Sequence, residues 1–148
     1  MPSYRAPVDD VSFLLNDVFH FDNYNNLPGF SDASADVREA ILEEAAKFAQ
    51  NVIQPLNRVG DLEGCKRHDD GRVTTPTGFK AAYQQLGEGG WLSLVAPTEF
   101  GGQGLPITLA QVVSEFLISS NMAFSMYSGL TQGAMAALLV HEIGRAHV

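Results

Sequence analysis

The glycines of Gly101-Gly102-Gln103-Gly104 stand just ahead of an apolar helical pattern. In that position free backbone N–H groups at a helix start can attract an anion, so a phosphate cradle is one chemistry the loop could serve. The spacing is neither G-x-G-x-x-G nor a Walker loop, and no Lys-Ser/Thr follows. A tight turn is the better reading, because glycine reaches positive φ and close backbone approach at little steric cost. A second stretch, Glu63-Gly64-Cys65-Lys66-Arg67-His68, sets the single cysteine among basic neighbours that could favour a thiolate. No nucleophile motif surrounds it, and an incidental surface thiol is the simpler account. His68 beside Asp69 and Asp70 offers part of a metal-ligand set, but no second spaced pair accompanies it, so a solvated loop is expected. Residues 122–140 are the third stretch. There Ala123, Gly129, Gly133, Ala134, Ala136 and Ala137 alternate with Met122, Met126 and Met135. Small residues let backbones approach and methionine fills irregular space, which suits either a packed interior helix or the wall of an apolar ligand pocket. Composition favours the interior helix.

The totals narrow the function classes. At 148 residues, with 45% hydrophobic and 18% charged content, the chain is of ordinary globular character and fits one domain. A net charge of −8 argues against nucleic acid, which needs clustered Lys and Arg. One cysteine excludes an internal disulfide and a cysteine-rich zinc site, and points weakly to a reducing compartment. The first residues carry Asp9, Asp10 and Asp17 and lack a basic region followed by an apolar run, so no signal peptide is expected. Residues 122–140 hold too many polar groups for a bilayer span.

The elements that would position these stretches are helical throughout. Pro7 opens a helix over about 7–19, with Val8, Val11, Leu14, Leu15 and Val18 at three- and four-residue steps. Asp32 or Ser34 caps a long helix whose face is Val37, Ile41, Ala45, Phe48 and Val52, with Leu42 and Ala49 beside it. Arg38 to Lys47 supply its solvated side, including a Glu43–Lys47 pair. Pro55 ends or kinks that helix, leaving a turn or two before Gly60. A polar connection over 60–75 leads to a helix start at Thr75-Pro76, with Phe79, Tyr83 and Leu86 buried. The stretch 91–105 carries the only Trp and the glycine turn. Pro106 then begins a helix with Leu109, Val112, Val113, Phe116 and Leu117 as its stripe, and Asn121 can cap the last helix. No sustained period-two alternation and no internal repeat appears, so the fold is expected to be all-α.

Trp-Leu-Ser-Leu-Val-Ala-Pro-Thr-Glu-Phe-Gly-Gly-Gln-Gly-Leu, residues 91–105, resembles the Pro-Glu-Tyr-Gly-Gly-x-Gly turn of acyl-CoA dehydrogenases, with Phe100 for Tyr and Thr98 as a variation. Glu115 falls where that family's Ser-Glu-Glu pattern ends the next helix. Asn121-Met-Ala-Phe-Ser-Met-Tyr-Ser-Gly-Leu-Thr-Gln-Gly is similar to its pocket helix. Tyr4-Arg5-Ala6-Pro7 through Phe13-Leu14-Leu15 resembles the N-terminal extension of a subgroup assigned to 3-methylmercaptopropionyl-CoA. The likeness runs from Tyr4 to His141.

The resemblance implies the helical N-terminal domain of a flavoprotein that oxidises an acyl-CoA to its 2,3-enoyl thioester. A carboxylate base takes the α-proton while the β-hydride passes to FAD. The chain is expected to stop before the middle β domain and the C-terminal bundle, which carry the base and most flavin contacts. No catalytic or cofactor-binding residue is therefore assigned here, and Glu99 and Glu115 are not the base. The implied contribution is an apolar wall for the acyl chain, at Ser125, Met126, Gly129, Leu130 and Gly133. Gly129 and Gly133 lie four apart on one helix face, which Met122 and Met126 continue. The competing account is that both glycines only let a neighbouring helix approach. The domain layout expected is an N-terminal extension over 1–30, the helical domain over 31–141 and a non-native or miscalled tail over 142–148, with no role for Arg145 or His147. The resemblance further implies an acyl-CoA substrate, an electron-transfer partner and a homo-oligomeric, cytoplasmic parent, inactive in this piece alone. The alternative function is a stand-alone helical binding or oligomerisation module without catalysis.

Overall fold

A computed structural model describes residues 3–141; the expected tail over 142–148, with Arg145 and His147, lies outside them. Six α-helices carry the fold, with one small hairpin between the third and fourth. Helix α1 (Val8–Phe13) continues as a π turn (Leu14–Val18), close to the expected span. Ser34, not Asp32, caps α2 (Ala35–Phe48), accepting from the Val37 N–H at 3.5 Å.

Pro55 does not end this helix; the distortion expected there takes the form of a π turn. The helix continues through this second π turn (Ala49–Ile53) into α3 (Gln54–Glu63), with Pro55 in the first turn of α3. Proline has no N–H to offer the carbonyl four residues back and its ring crowds that carbonyl. The wider turn just ahead of it takes up the mismatch: the Gln54 N–H donates to the carbonyl of Ala49, five residues back. Helical backbone also runs through Gly60 to Glu63. The polar connection that follows contains the antiparallel pair β1 (Lys66–Arg67) and β2 (Val73–Thr74), turned at Gly71 with φ +83°. Two residues per strand are too few to show period-two patterning. Helix α4 (Phe79–Glu88) begins three residues later than Thr75-Pro76 predicts, because Gly78 (φ +86°) adopts the left-handed conformation at its N-cap.

The core is centred on α5 (Ile107–Ser120), which packs on α2, on the second π turn and on α6 (Met122–His141). Leu109, Val113, Phe116 and Leu117 are buried as their spacing predicts, against Leu42, Ala45, Ala49 and Ile53 from α2 and its extension. Full burial of a side chain such as Phe116 stabilises the fold by about 1.5–3 kcal/mol. The stripe of α2 is rotated from the expected one: Val37 is exposed, and Leu42, Ala45, Ala46 and Ala49 form its inner face. On α4 the small Ala82 takes the inward position expected of Tyr83, which is exposed.

Arg38 is the largest departure. Placed by pattern on the solvated face, it is only 3% exposed. Nη1 donates to Asp22 Oδ1 and to the Ala33 carbonyl, both at 2.8 Å, and Nη2 donates to Asn16 Oδ1 at 2.7 Å. The guanidinium lies 4.6 Å over the Phe21 ring. The N-terminal segment folds over α2, so a position that faces solvent on an isolated helix becomes its anchor. Burial of Val11, Leu15, Phe21 and Ala33 in the common core follows from that docking.

Helix α6 departs from expectation too. It is not an interior helix: among its described residues only Phe124 and Ser128 are buried, and Leu130 is 82% exposed.

Candidate functional site

The glycine turn is the first element of the site, and its backbone explains its composition. Gly101 (φ +79°) and Gly104 (φ +63°) are left-handed. A Cβ on Gly102 would collide with the Ala96 carbonyl. The N–H groups of Gly101, Gly102, Gln103, Gly104 and Leu105 donate to the carbonyls of Thr98, Pro97, Ser93, Ala96 and Leu94, all within 2.9–3.1 Å. None is left to receive a phosphate, so the turn reading prevails over the cradle. What the turn does is fix the chain before α5 and hold Trp91 and Leu92 at the edge of α5 and α6.

Between these elements lies a groove of about 230 Å³. Trp91 and Leu92 form one wall, Val113, Leu117 and Ile118 of α5 the floor, and Met122, Ser125, Met126 and Gly129 of α6 the other wall. The α6 residues recur at three- and four-residue steps, which places them on one face. Their side chains carry little reactivity. The Ser125 hydroxyl donates to the Met122 carbonyl at 2.8 Å, inside its own helix. Among the described residues no Asp, Glu, His, Cys, Lys, Arg or Tyr lines the groove. The described lining is mostly apolar, with Ser114, Ser125, Ser128 and Gln132 as its polar side chains.

Of the five residues expected to line a pocket, the structure brings Ser125, Met126 and Gly129 together on the groove. Leu130 points elsewhere, and Gly133, one turn beyond Gly129, is not among the lining residues. A Cβ on Gly129 or Gly133 would meet nothing within 4 Å, so among the described residues neither glycine serves close helix approach. At Gly129 the absent side chain is groove volume. Sequence reasoning did not find Leu92 of the facing wall or Ile118 of the floor, because they are distant in sequence from the α6 residues. The lone Trp beside the glycine turn was the one signal available.

The other candidates fall outside this groove. Glu115 is exposed beside the Ser119 and Tyr4 side chains, where burial, with its negative charge adding, holds the Tyr4 phenol above its ordinary pKa. Glu99 belongs to an exposed 3₁₀ turn (Thr98–Phe100). His68 Nε2 lies 2.6 Å from Thr74 Oγ1 across the hairpin, and Asp70 accepts from Arg72. Among the described residues no group of three or more His, Cys, Asp or Glu could hold a metal ion. Cys65 is exposed, its sulfur 3.4 Å from the Tyr127 hydroxyl on α6; that contact, with some desolvation, raises the Tyr127 pKa. No described helix is long and apolar enough to cross a membrane.

The model of a family described as "Acyl-CoA dehydrogenase, N-terminal domain" matches residues 35–147. Over 138 residues the chain is 38% identical to a 3-methylmercaptopropionyl-CoA dehydrogenase of Ruegeria pomeroyi, a match covering 93% of this chain and 23% of that protein. It is 27% identical over 148 residues to the broad-specificity linear acyl-CoA dehydrogenase FadE5 of Mycobacterium tuberculosis, covering 97% of this chain and 23% of the relative. The chain thus spans about a quarter of the length of these relatives, 23% in each case.

Proposed function

The chain belongs to the acyl-CoA dehydrogenase family, as its N-terminal helical domain, and from that premise we propose that it supplies the acyl-chain wall of a flavin-dependent dehydrogenase. The parent reaction is oxidation of an acyl-CoA thioester to the 2,3-enoyl thioester. The observation that carries this reading is the untitratable groove between Trp91, α5 and α6, with Gly129 left open toward it. Ser125, Met126 and Gly129 hold the acyl chain; Leu130 and Gly133 lie on the same helix outside the groove lining.

The glycine turn does not fit a flavin pyrophosphate, because it has no free N–H groups to offer. FAD belongs to the parent and is bound elsewhere in it, together with the carboxylate base. The parent is a cytoplasmic homo-oligomer that passes electrons to a protein partner. The chain alone is inactive, since nothing in the groove can take the α-proton.

The test is direct. Purified chain, FAD, an acyl-CoA and an artificial electron acceptor are combined, and turnover is followed. No turnover is expected, while octanoyl-CoA should change the emission of Trp91, the only tryptophan. Turnover at the rate of a complete dehydrogenase would refute the assignment. In the alternative module, Leu130, Leu138, Leu139 and Val140, exposed on α6, would be the face for a partner helix, whereas in the fragment they await the missing domains. A sharply melting, monodisperse oligomer in size-exclusion chromatography, with no Trp91 response to acyl-CoA, would decide for the module.

A further inference from the structure

Helix α6 is anchored almost entirely at its start. Beyond Ser128 its described residues are not buried, so its direction is set within its first two turns. Asn121, the residue between α5 and α6, is 1% exposed and extended (φ −162°, ψ 91°). All of its polar groups are used. Its N–H donates to the Leu117 carbonyl at 2.9 Å, and its carbonyl accepts from the Ser125 N–H at 3.1 Å. Oδ1 accepts from the Phe124 N–H at 3.0 Å, the capping bond that its position predicts. Nδ2 donates at 3.3 Å to the carbonyl of Ile53, the last residue of the π turn ahead of Pro55. A helix cap has no need of that fourth bond. It ties the start of α6 to a distortion 68 residues earlier in the chain.

We propose that Asn121 is a positioning residue for the groove: through Ile53 it aims α6 so that Met122, Ser125, Met126 and Gly129 face Trp91. The inference rests on the acyl-wall reading for its consequence in binding, but its geometry stands independently. The lever is long. At a rise of 1.5 Å per residue, Gly129 lies roughly 12 Å along the axis from Asn121, so a tilt of about 10° moves it by about 2 Å. Such a shift exceeds the fit of a methylene group.

Serine caps a helix about as well as asparagine but has no amide to reach Ile53. Asn121→Ser therefore separates the tie from the cap. Three readings are taken on the purified chain: far-UV circular dichroism, acrylamide quenching of Trp91, and the reaction rate of Cys65, the single thiol, which touches Tyr127 of α6. With helicity retained, Asn121→Ser should raise both Trp91 quenching and Cys65 reactivity by about twofold or more, as local docking loosens. It should also weaken octanoyl-CoA, read through Trp91, by about tenfold, the scale of a methylene misfit. If Asn121→Ser does not fold, the readings are taken on Pro55→Ala, which restores an N–H able to close the π turn and displace the Ile53 carbonyl; the same shifts are expected. Trp91 and Cys65 unchanged in the folded variant, whatever its melting temperature, would overturn the proposal. If wild-type Trp91 ignores octanoyl-CoA while Asn121→Ser still alters quenching, the acyl-wall reading fails and the positioning role stands.

Discussion

Replacing Arg38 by methionine tests how the N-terminal segment is held. Methionine keeps most of the apolar stem and removes the guanidinium. Asp22 has a side chain 67% exposed, so its carboxylate rehydrates and the ion pair itself is worth under about 1 kcal/mol. Ala33 is fully buried, and its carbonyl loses the Nη1 donor. Leaving such a group unpaired costs about 1–3 kcal/mol. Loss of the cation over Phe21 adds about 1 kcal/mol. Against these stands the relief of no longer burying a charge, which is sharpened by an Arg38 Nε that has no partner. The net expectation is a destabilisation of about 2–4 kcal/mol, read by urea unfolding of the purified chain. Hydrogen exchange should locate the loosening in residues 14–33. Asp22→Asn should cost under about 1 kcal/mol, and Arg38→Lys should fall between, because an ammonium cannot span Asp22, Ala33 and Asn16 as the planar fork does. An Arg38→Met protein as stable as wild type, with unchanged exchange over 14–33, would refute the anchoring role.

Two further outcomes follow from the groove and from the hairpin region. In the complete parent enzyme, Gly129→Leu should lower kcat/KM progressively with acyl length, by roughly 10-fold or more per methylene displaced, whereas Gly133→Leu, outside the lining, should have a smaller graded effect. An equal loss at every acyl length with a lower Tm would instead mark Gly129 as a packing residue. Glu63 accepts from the Thr77 N–H at 2.7 Å, which holds its carboxyl below the ordinary value, with Lys66 contributing a little. Its folded-state pKa is depressed, so its contribution is present above the unfolded value of about 4.3 and is lost as pH falls through the folded one. Acid unfolding curves should show Glu63→Gln less stable than wild type at neutral pH and converging with it in acid; a constant gap would contradict this.

The local chemistry of this chain was legible in its residues wherever a rule acts within one turn. Glycines at 101, 102 and 104 meant a steric turn, and the structure uses them for positive φ and for the approach to Ala96. The stripe of α5 and the cap at Asn121 follow from spacing alone, and the family resemblance rested on the same short runs. What lies between elements was decided by tertiary packing. Arg38 reads as a surface charge because nothing in its own helix shows that residues 16–33 will fold over it. Pro55 reads as a stop or a kink because its own helix does not show the π turn ahead of it, on which α5 packs and to whose Ile53 carbonyl the Asn121 side chain donates. By composition the methionines and glycines of α6 favour an interior helix over a pocket wall, yet among its described residues only Phe124 and Ser128 are buried. What the tertiary structure adds is the placement of Trp91 opposite the start of α6, across a groove whose described lining has no titratable side chain, since burial depends on neighbours that periodicity within one helix does not contain.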